Sequence, residues 1–422
     1  MKRLLLALLL FPQAALWAQT LDECQRAAER NYPLIQQYDL VGKTTDLTVS
    51  NIRKGWLPQL SASAQATLQS DVTAFPDQIQ AVYRQMGINM EGLKKDQYRV
   101  GIDVNQTVYD GGAIKSQQEI ARRQGELQEA QTSVTLYAVR QRVNEMYFGL
   151  LLLDAQIEQN NSLLELLSAN ERRLSSMYQR GTAAESDYAV VRAERLLADQ
   201  KAASLASQRA TLARLLSLFC GIEVSEVSKP PLVEAIASDS QRPELQAIEA
   251  KILLVDAQEK ALDSALKPRL SLFAQGYYGY PGYNLFEDMM HRNWSLNGMV
   301  GARISWNIGA LYTRKNDRSR LQLQRDSYEV ERDVFLFNNN LQQQQQQENA
   351  RCYREMMASD EEIIALRTKV RKAAESKLAH GIIDANDLVK EINSENTARV
   401  QQSVHEIEML KQLYDFKYTT NQ

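Results

Sequence analysis

Residues 57–65 read LPQLSASAQ, and residues 267–275 read KPRLSLFAQ. In both copies a proline ends the preceding segment, and an alternation of apolar and polar side chains follows. Three other landmarks recur in the same order. Tyr32-Pro33 matches Arg242-Pro243, the sequence YQRG at 178–181 matches LAHG at 378–381, and Asp187 matches Asp387. A fixed order of matching landmarks indicates a tandem duplication.

The duplication divides the chain into two structural repeats. The first repeat covers residues 20–220 and the second covers residues 242–422, with a linker at 221–241. The linker shows little helical periodicity and contains the sequence KPP at 229–231. Because proline lacks a backbone N–H, this sequence cannot continue a helix.

Each repeat is predicted to open with a helix that is followed by two strands. The ranges are about 21–54 and 242–265 for the opening helices, 57–69 and 97–109 for the strands of the first repeat, and 268–280 and 294–308 for the strands of the second. Apolar and polar residues alternate with a period of two in these strands. A soluble sandwich would also alternate, so the pattern by itself does not decide between a sandwich and a membrane barrel.

Three details favour a membrane barrel. Each alternating segment has about 10 to 12 residues, which is the length a tilted strand needs to cross a bilayer. Aromatic side chains such as Tyr109 and Trp294 collect at strand ends, where an interfacial girdle would lie. The polar face carries Arg99, Asp103 and Arg303, which suit a wet lumen better than a packed core.

Long helices are predicted after both strand pairs. Gly111 and Gly309 mark the strand-to-helix joints, where unusual backbone angles are expected. Beyond the joints the period becomes helical, and helical hairpins are predicted over 111–220 and 309–418. The first helix would have roughly 70 residues and a length on the order of 100 Å. Its apolar residues recur in steps of three and four, which is typical of a coiled coil and also of a rod-like tether.

The number of strands requires self-association. Four strands cannot close a barrel, because the smallest natural barrels have about eight and an open edge would leave backbone groups unpaired in lipid. A trimer would supply 12 strands, three times four. The predicted fold class is therefore mixed α and β: a trimeric 12-stranded transmembrane β-barrel with a helical tube of the hairpins beneath it.

Charge, cysteines and histidines argue against several classes of function. The chain has 49 Lys and Arg against 52 Asp and Glu, which gives no support for nucleic-acid binding. Cys24, Cys220 and Cys352 lack paired spacing, which argues against a disulfide framework or a zinc site. The three histidines are scattered along the sequence, and we expect each to face solvent: His291, His380 and His405. Hydrolase, phosphate-loop and dinucleotide motifs are missing from the sequence, so neither an enzyme nor a bound cofactor or metal is expected.

The N-terminal residues 1–19 have the parts of a secretory signal. A charged start at 1–3 precedes an apolar stretch at 4–11 and small residues near the expected cleavage site. The apolar stretch is much shorter than the roughly 20 residues that span a bilayer. Lipidation at Cys24 is not expected, because the acidic Asp22 and Glu23 stand where a lipobox has small or apolar residues. The mature chain is therefore expected to be exported.

Together these residues resemble the TolC-like outer-membrane efflux family over essentially the whole mature chain. The resemblance rests on the Pro-x-Leu-Ser strand starts at Pro58 and Pro268, the sequence YDGG at 109–112, and the turn sequences at 178–181 and 378–381. It implies a homotrimer in the outer membrane of a Gram-negative bacterium, in contact with lipid, whose 12-stranded β-barrel is continuous with a long periplasmic α-helical barrel. It also implies that a periplasmic adaptor joins the channel to an inner-membrane pump of RND or ABC type.

The resemblance further implies roles for residues at the periplasmic tip. Gly181 and Gly381 match the glycines of the tip turns where the adaptor docks, and a plain hairpin turn is compatible with that role. Asp187 and Asp387 match carboxylates near the pore constriction. The alternative for both is an acid favoured at a helix start by the macrodipole, and Asp384 is the expected cap of the second hairpin.

Two positions depart from the family's pattern at the tip. Lys390 stands about one helical turn after Asp387, where a second carboxylate would complete a double acidic ring. Ile383 stands where a gate arginine would pair with the neighbouring hairpin. Lys390 is therefore assigned to the constriction, and gating would rest on Asp187, Arg180, Lys390 and apolar contacts.

The sequence thus predicts an export duct without enzymatic activity. It would carry small toxic compounds, or secreted substrates, across the periplasm and the outer membrane. The alternative is a periplasmic coiled-coil adaptor or tethering protein that lacks a membrane barrel. No nucleic acid is expected among the partners in either case.

Overall fold

The computed structural model describes residues 18–233 and 240–421. Residues 1–17 of the predicted signal and residues 234–239 of the predicted linker lie outside this part of the chain. The described residues are mostly helical, with four strands in a single antiparallel sheet.

The elements follow nearly the same order in both repeats. In the first repeat they are α1 (Leu21–Asn31), α2 (Ile35–Arg53), a 3-10 turn (Lys54–Trp56), β1 (Gln59–Leu68), α3 (Asp77–Gln85), β2 (Asp96–Tyr109), α4 (Ala113–Gln179) and α5 (Glu185–Cys220). In the second repeat they are α6 (Pro243–Ala265), β3 (Arg269–Tyr280), α7 (Leu285–His291), β4 (Ser295–Ser305), α8 (Ala310–Ala379) and α9 (Ala385–Thr420).

Two features of these elements differ from the expectation. The opening helix predicted over about 21–54 is broken between Asn31 and Ile35, because Pro33 cannot donate a backbone hydrogen bond within a helix. The equivalent Pro243 begins α6 instead, where the first N–H groups have no partner within the helix. The connections between paired strands also contain the short helices α3 and α7, which the sequence pattern did not predict.

The sheet has the strand order β1-β2-β3-β4. Its register places Leu60 opposite Val104, Val104 opposite Ala274, and Ala274 opposite Val300. The apolar positions of all four strands therefore share one face, as their period of two requires. This face is uncovered in the single chain, since Leu296 and Val300 are 83% and 81% exposed.

The chain forms two compact units that do not follow the repeat boundaries. One unit consists of residues 40–129 and 248–330 and contains the sheet. The other consists of the remaining described residues and contains the turns of both helical hairpins. Each unit takes segments from both repeats, so the repeats are interleaved and do not fold as separate domains.

The largest apolar core of the helical unit gathers side chains from α1, α4, α5 and α9. Its buried members are Leu21, Cys24, Ala28, Val139, Val143, Tyr147, Phe148, Leu150, Leu151, Leu216, Cys220, Val224, Ile407, Leu410 and Tyr414. Asn160, which interrupts the predicted apolar seam of α4, is buried and donates from Nδ2 to the Ala198 carbonyl at 3.0 Å. A polar group that is hydrogen-bonded within such a seam fixes the register of the two helices, here α4 and α5.

Candidate functional site

Two sharp turns join the long helices, one between α4 and α5 and one between α8 and α9. Gly181 donates its N–H to the carbonyl three residues earlier, and Thr182 donates to the carbonyl five residues earlier, both at 2.9 Å. Gly381 and Ile382 make the same pair of bonds at 3.0 and 2.9 Å. This pair of bonds is the Schellman motif, which requires a left-handed residue just after the helix.

Glycine meets that requirement in both turns. The φ angles of Gly181 and Gly381 are +74° and +69°. A β-carbon added at either position would have no heavy atom of another residue within 4 Å. Backbone conformation, and not crowding, therefore accounts for glycine at both turns. Added volume at these positions would point into open space around the single chain.

Asp384 caps α9. Its Oδ1 accepts the N–H of Asp387 at 3.0 Å, which satisfies one of the donors that a helix start leaves unpaired. The Asp387 side chain is itself exposed, and within the described part of the chain it has no hydrogen-bond or ion-pair partner. The capping role in the second hairpin thus belongs to Asp384, and the Asp387 carboxylate has no packing role in the single chain.

Asp187 contacts both hairpins. Its Oδ2 accepts the N–H of Ala184 at 3.3 Å, at the start of its own helix. Its Oδ1 accepts the N–H of Ala385 at 3.1 Å, at the start of α9 in the other hairpin. One carboxylate therefore stabilises two helix starts and links the two turns. Sequence reasoning missed this link, because the spacing along one helix carries no information about the neighbouring hairpin.

Lys390 and Ile383 occupy different environments. Lys390 is exposed, whereas Ile383 is half-buried and packs against an apolar cluster shared by the two hairpins. The buried members of this tip cluster are Leu167, Leu174, Val191, Ala198, Ala374, Leu378, Ala385, Leu388, Val389 and Ile392. Ile383 thus contributes to packing at the position where the family pattern suggests an arginine.

Each hairpin contains an ion pair at equivalent positions, with the charges exchanged. In the first hairpin Glu171 of α4 pairs with Arg195 of α5, with 2.6 Å between Oε2 and Nε. In the second hairpin Arg371 of α8 pairs with Glu395 of α9. A search for repeated residue types does not detect this relation, because the acid and the base change places between the repeats.

The pair in the second hairpin is the more buried one. The side chains of Arg371 and Glu395 are 11% and 6% exposed, and Arg399 and Thr368 also donate to Glu395 at 2.7 and 2.9 Å. Burial alone would raise the pKa of Glu395, but the hydrogen bonds from Arg399, Arg371 and Thr368 outweigh it and lower the pKa. The carboxyl group is therefore held ionised where it joins α8 to α9.

His405 forms another polar contact between these two helices. Its Nδ1 lies 2.9 Å from Oδ2 of Asp360, which is buried. The expectation that His405 faces solvent is therefore wrong, because this part of α9 turns its side chain toward α8. His291 and His380 are exposed, as expected.

The first strand-to-helix joint needs glycine for two reasons. Gly111 has a φ of +72°, and a β-carbon there would lie 2.7 Å from Cβ of Lys267 and 3.0 Å from the carbonyl of Ser264. Asp110 stabilises the turn by accepting the N–H of Gly112 at 2.8 Å. Both the backbone angle and the close approach of the chain before β3 exclude a side chain at this position.

The second joint differs from the first. Among the described residues, Gly309 is not one of the glycines that have a positive φ angle. A β-carbon there would lie 3.5 Å from Oδ1 of Asn307, an ordinary contact. The expectation of unusual backbone angles at Gly309 is therefore wrong, and the turn before α8 is accessible to any residue that fits this space.

The polar face of the sheet carries arginines stacked on aromatic rings. The guanidinium of Arg99 lies 4.1 Å from the ring centre of Tyr277, and that of Arg303 lies 5.1 Å from the ring centre of Phe273. Gly101 leaves room for Tyr277, since a β-carbon there would come within 2.9 Å of its Cβ. Such stacking stabilises a cation on the sheet surface while its polar edge remains accessible to water.

Residues 18–233 and 240–421 contain no cluster of three or more His, Cys, Asp or Glu side chains that could hold a metal ion. Within these ranges, none of the helices has the length and apolar character to cross a membrane.

Solved structures share this fold. The chain matches the CmeC outer membrane channel of Campylobacter jejuni with a TM-score of 0.67 and 13% identity, over 95% of this chain and 85% of that one. It matches the outer membrane protein VceC of Vibrio cholerae with a TM-score of 0.66 and 11% identity, over 95% and 94% of the two chains. It matches the open state of the MtrE outer membrane channel of Neisseria gonorrhoeae with a TM-score of 0.64 and 14% identity, over 95% and 88%.

Sequence similarity is confined to a family model that matches the first repeat. No curated protein is significantly similar to the chain. The family model described as outer membrane efflux protein matches residues 19–221, which contain the first repeat. The first repeat is therefore similar to the outer membrane efflux protein family, and both repeats share the fold of the solved outer-membrane channels.

Proposed function

We propose that this chain is one subunit of a homotrimeric channel in the outer membrane of a Gram-negative bacterium. The channel exports small toxic compounds, or secreted substrates, across the periplasm and the outer membrane. It acts as the passive exit duct of a tripartite pump. The match of residues 19–221 to the outer membrane efflux protein family supports this membrane and this role.

The four-stranded sheet carries the proposal. Within the described residues, neither β1 nor β4 pairs with a further strand on its outer side. An unpaired backbone group costs several kcal/mol in lipid, so both edges need partners. Three copies joined edge to edge give 12 strands, three times the four of one chain. The exposed apolar face then contacts lipid, and the face that bears Arg99 and Arg303 lines the lumen.

The turns of the helical hairpins are the proposed docking sites for a periplasmic adaptor. Gly181 and Gly381 support this role because no heavy atom of the chain crowds either turn. An inner-membrane pump of RND or ABC type would then supply the energy for transport. The pump would also select most of the cargo, since the duct itself performs no chemistry.

The pore constriction is assigned to the same end of the hairpins. Asp387 and Lys390 are the stronger candidates, because both are exposed. Asp187 would contribute less charge to a pore, since both of its oxygens already accept backbone N–H groups. Three copies of Asp387 would form an acidic ring that attracts cations, and three copies of Lys390 would oppose it.

A periplasmic adaptor or tether without a barrel is the alternative, and the sheet disfavours it. A soluble rod would expose the apolar face that contains Leu296 and Val300 to water. Contiguous exposed apolar surface of that kind marks a membrane or protein contact.

Electrophoresis and conductance measurements test the channel proposal. The protein should require detergent for extraction and should run as a trimer in unheated samples, then as a single chain of at most 48.0 kDa after heating. In planar bilayers it should give discrete conductance steps. A detergent-free soluble monomer without conductance would overturn the proposal in favour of the tether.

A further inference from the structure

Two cysteines that are far apart in sequence meet in the core of the helical unit. Cys24 lies on α1, and Cys220 is the last residue of α5. Both belong to the same apolar core and are 0% and 2% exposed. Sequence spacing gave no indication of this contact, because the fold brings together segments with a separation of 196 residues.

The two helices are fixed against each other on both sides of this pair. Before Cys24, Gln19 forms a backbone bridge with Val227, beyond the end of α5. After it, Nδ2 of Asn31 donates to the carbonyls of Leu218 and Phe219, both at 3.2 Å. The cysteines therefore have little freedom to separate while the core is folded.

The thiol of Cys220 reaches the backbone of Cys24. Its Sγ donates to the carbonyl of Cys24 at 3.4 Å. The interaction with the neighbouring thiol, together with burial, raises the pKa of Cys24. The same interaction lowers the pKa of Cys220 in spite of burial, so each thiol influences the ionisation of the other.

We propose that Cys24 and Cys220 form a disulfide bond after export. The proposal rests on the periplasmic location that the proposed function assigns to the chain, where disulfides form and persist. Cys352 lies exposed on α8 and has no cysteine partner among the described residues, so it remains a thiol.

A dithiol oxidase of the periplasm supplies the oxidising equivalents. The thiolate of one of the two cysteines attacks the disulfide of the oxidase, and one oxidase sulfur leaves as a thiolate. The thiolate of the other cysteine then attacks the sulfur of the first in this mixed disulfide, which forms the new S–S bond and releases the second oxidase thiolate. Two electrons pass to the oxidase, and the two thiol protons pass to its sulfurs or to water. Because the pair is buried in the folded chain, the exchange occurs before the core closes.

Counting thiols in the native protein tests the disulfide. The outer-membrane fraction is quenched in acid, denatured, and alkylated with a maleimide of large mass, with and without prior reduction. We expect one adduct per chain without reduction, at Cys352, and three adducts after reduction. Three adducts without reduction in this fraction would overturn the disulfide and leave the channel proposal intact. Recovery of the chain only from the cytoplasm would overturn both.

Single replacements assign the adducts to residues. Cys352→Ala should abolish the adduct of the unreduced protein, whereas Cys24→Ala should raise the count from one to two by releasing Cys220. Expression without the periplasmic oxidase should convert the wild-type chain to three adducts. A count that stays at one in the Cys24→Ala variant would contradict the pairing.

Discussion

At the scale of single residues, the exchanged ion pairs show how far the two hairpins have diverged. The pair of the first hairpin is the more solvated, since the side chains of Glu171 and Arg195 are 17% and 25% exposed. Glu395 and Arg371 are 6% and 11% exposed and make additional hydrogen bonds. Removing one member of the buried pair leaves the other with a single counter-ion, Glu375 or Arg399, and little access to water, whereas the partner in the first hairpin can recover water.

Glu395→Gln should lower the free energy of unfolding by about 1.5–3 kcal/mol, because the buried hydrogen bonds to the Glu395 carboxylate are lost while Arg371 keeps only Glu375 as a counter-ion. Glu171→Gln is the matched control, and it should cost about 1 kcal/mol or less. The urea dependence of the helical circular dichroism signal measures both. Equal losses in the two variants would show that burial does not distinguish the pairs.

The lowered pKa of Glu395 also predicts a dependence on pH. A group whose pKa is lower in the folded state than in the unfolded state stabilises the fold fully when the pH is above its unfolded-state pKa, here the ordinary value of 4.5. This stabilisation is lost as the pH falls through the pKa of the folded state. Between pH 7 and pH 3 the wild-type chain should therefore lose more stability than Glu395→Gln. If the stability of the wild-type chain and of the Glu395→Gln variant fell equally, the acid sensitivity would belong to other carboxyl groups.

At the scale of elements, the two faces of the sheet differ in whether they can accept a charged side chain. Val300 lies at the centre of β4 on the apolar face, and the neighbouring Met299 points to the polar face, opposite Gln275. In a barrel the first side chain meets lipid and the second meets the lumen. Adjacent residues of one strand thus provide a matched pair for testing the orientation of the sheet.

Val300→Arg should destabilise the inserted barrel by about 2–4 kcal/mol, the range for a cation near the middle of the bilayer. Met299→Arg should be tolerated, because Arg303 already lies on the same face. The quantity of heat-dissociable trimer in the outer-membrane fraction measures both variants. The reverse ranking would mean that the apolar face does not contact lipid.

The elements that could be predicted from sequence are those whose signal is local and periodic. The strands and long helices follow from periods of two and of three to four, and the tip turns follow from glycines that local hydrogen bonds require. What could not be predicted depends on neighbours remote in sequence. Asp187 reaches Ala385 in the other hairpin, and Cys24 meets Cys220, through tertiary packing alone. The joint at Gly309 was mispredicted because glycine is also compatible with ordinary backbone angles.

At the scale of the whole molecule, assembly would bring three copies of each tip residue around one axis. A ring of Asp387 and a ring of Lys390 would then act on the same permeating ions with opposite sign. Neither effect can be detected in a single chain, where both side chains are simply exposed. Selectivity is therefore a property of the assembled channel.

Asp387→Ala should reduce the preference for cations, and Lys390→Ala should increase it, because each variant removes three like charges from a trimeric ring. The reversal potential in a planar bilayer under a KCl gradient measures both changes. Asp187→Ala provides the comparison and should shift the potential less than Asp387→Ala, since its oxygens are engaged by backbone groups. Unchanged potentials in the Asp387 and Lys390 variants would place the constriction elsewhere.

The interleaving of the two repeats has a consequence for biogenesis. When the first repeat has left the export machinery, both compact units still lack the segments that the second repeat contributes. The core around Cys24 is completed only by Leu410 and Tyr414 on α9, near the end of the chain. We therefore expect the exported chain to remain incompletely folded until its last helix has been delivered.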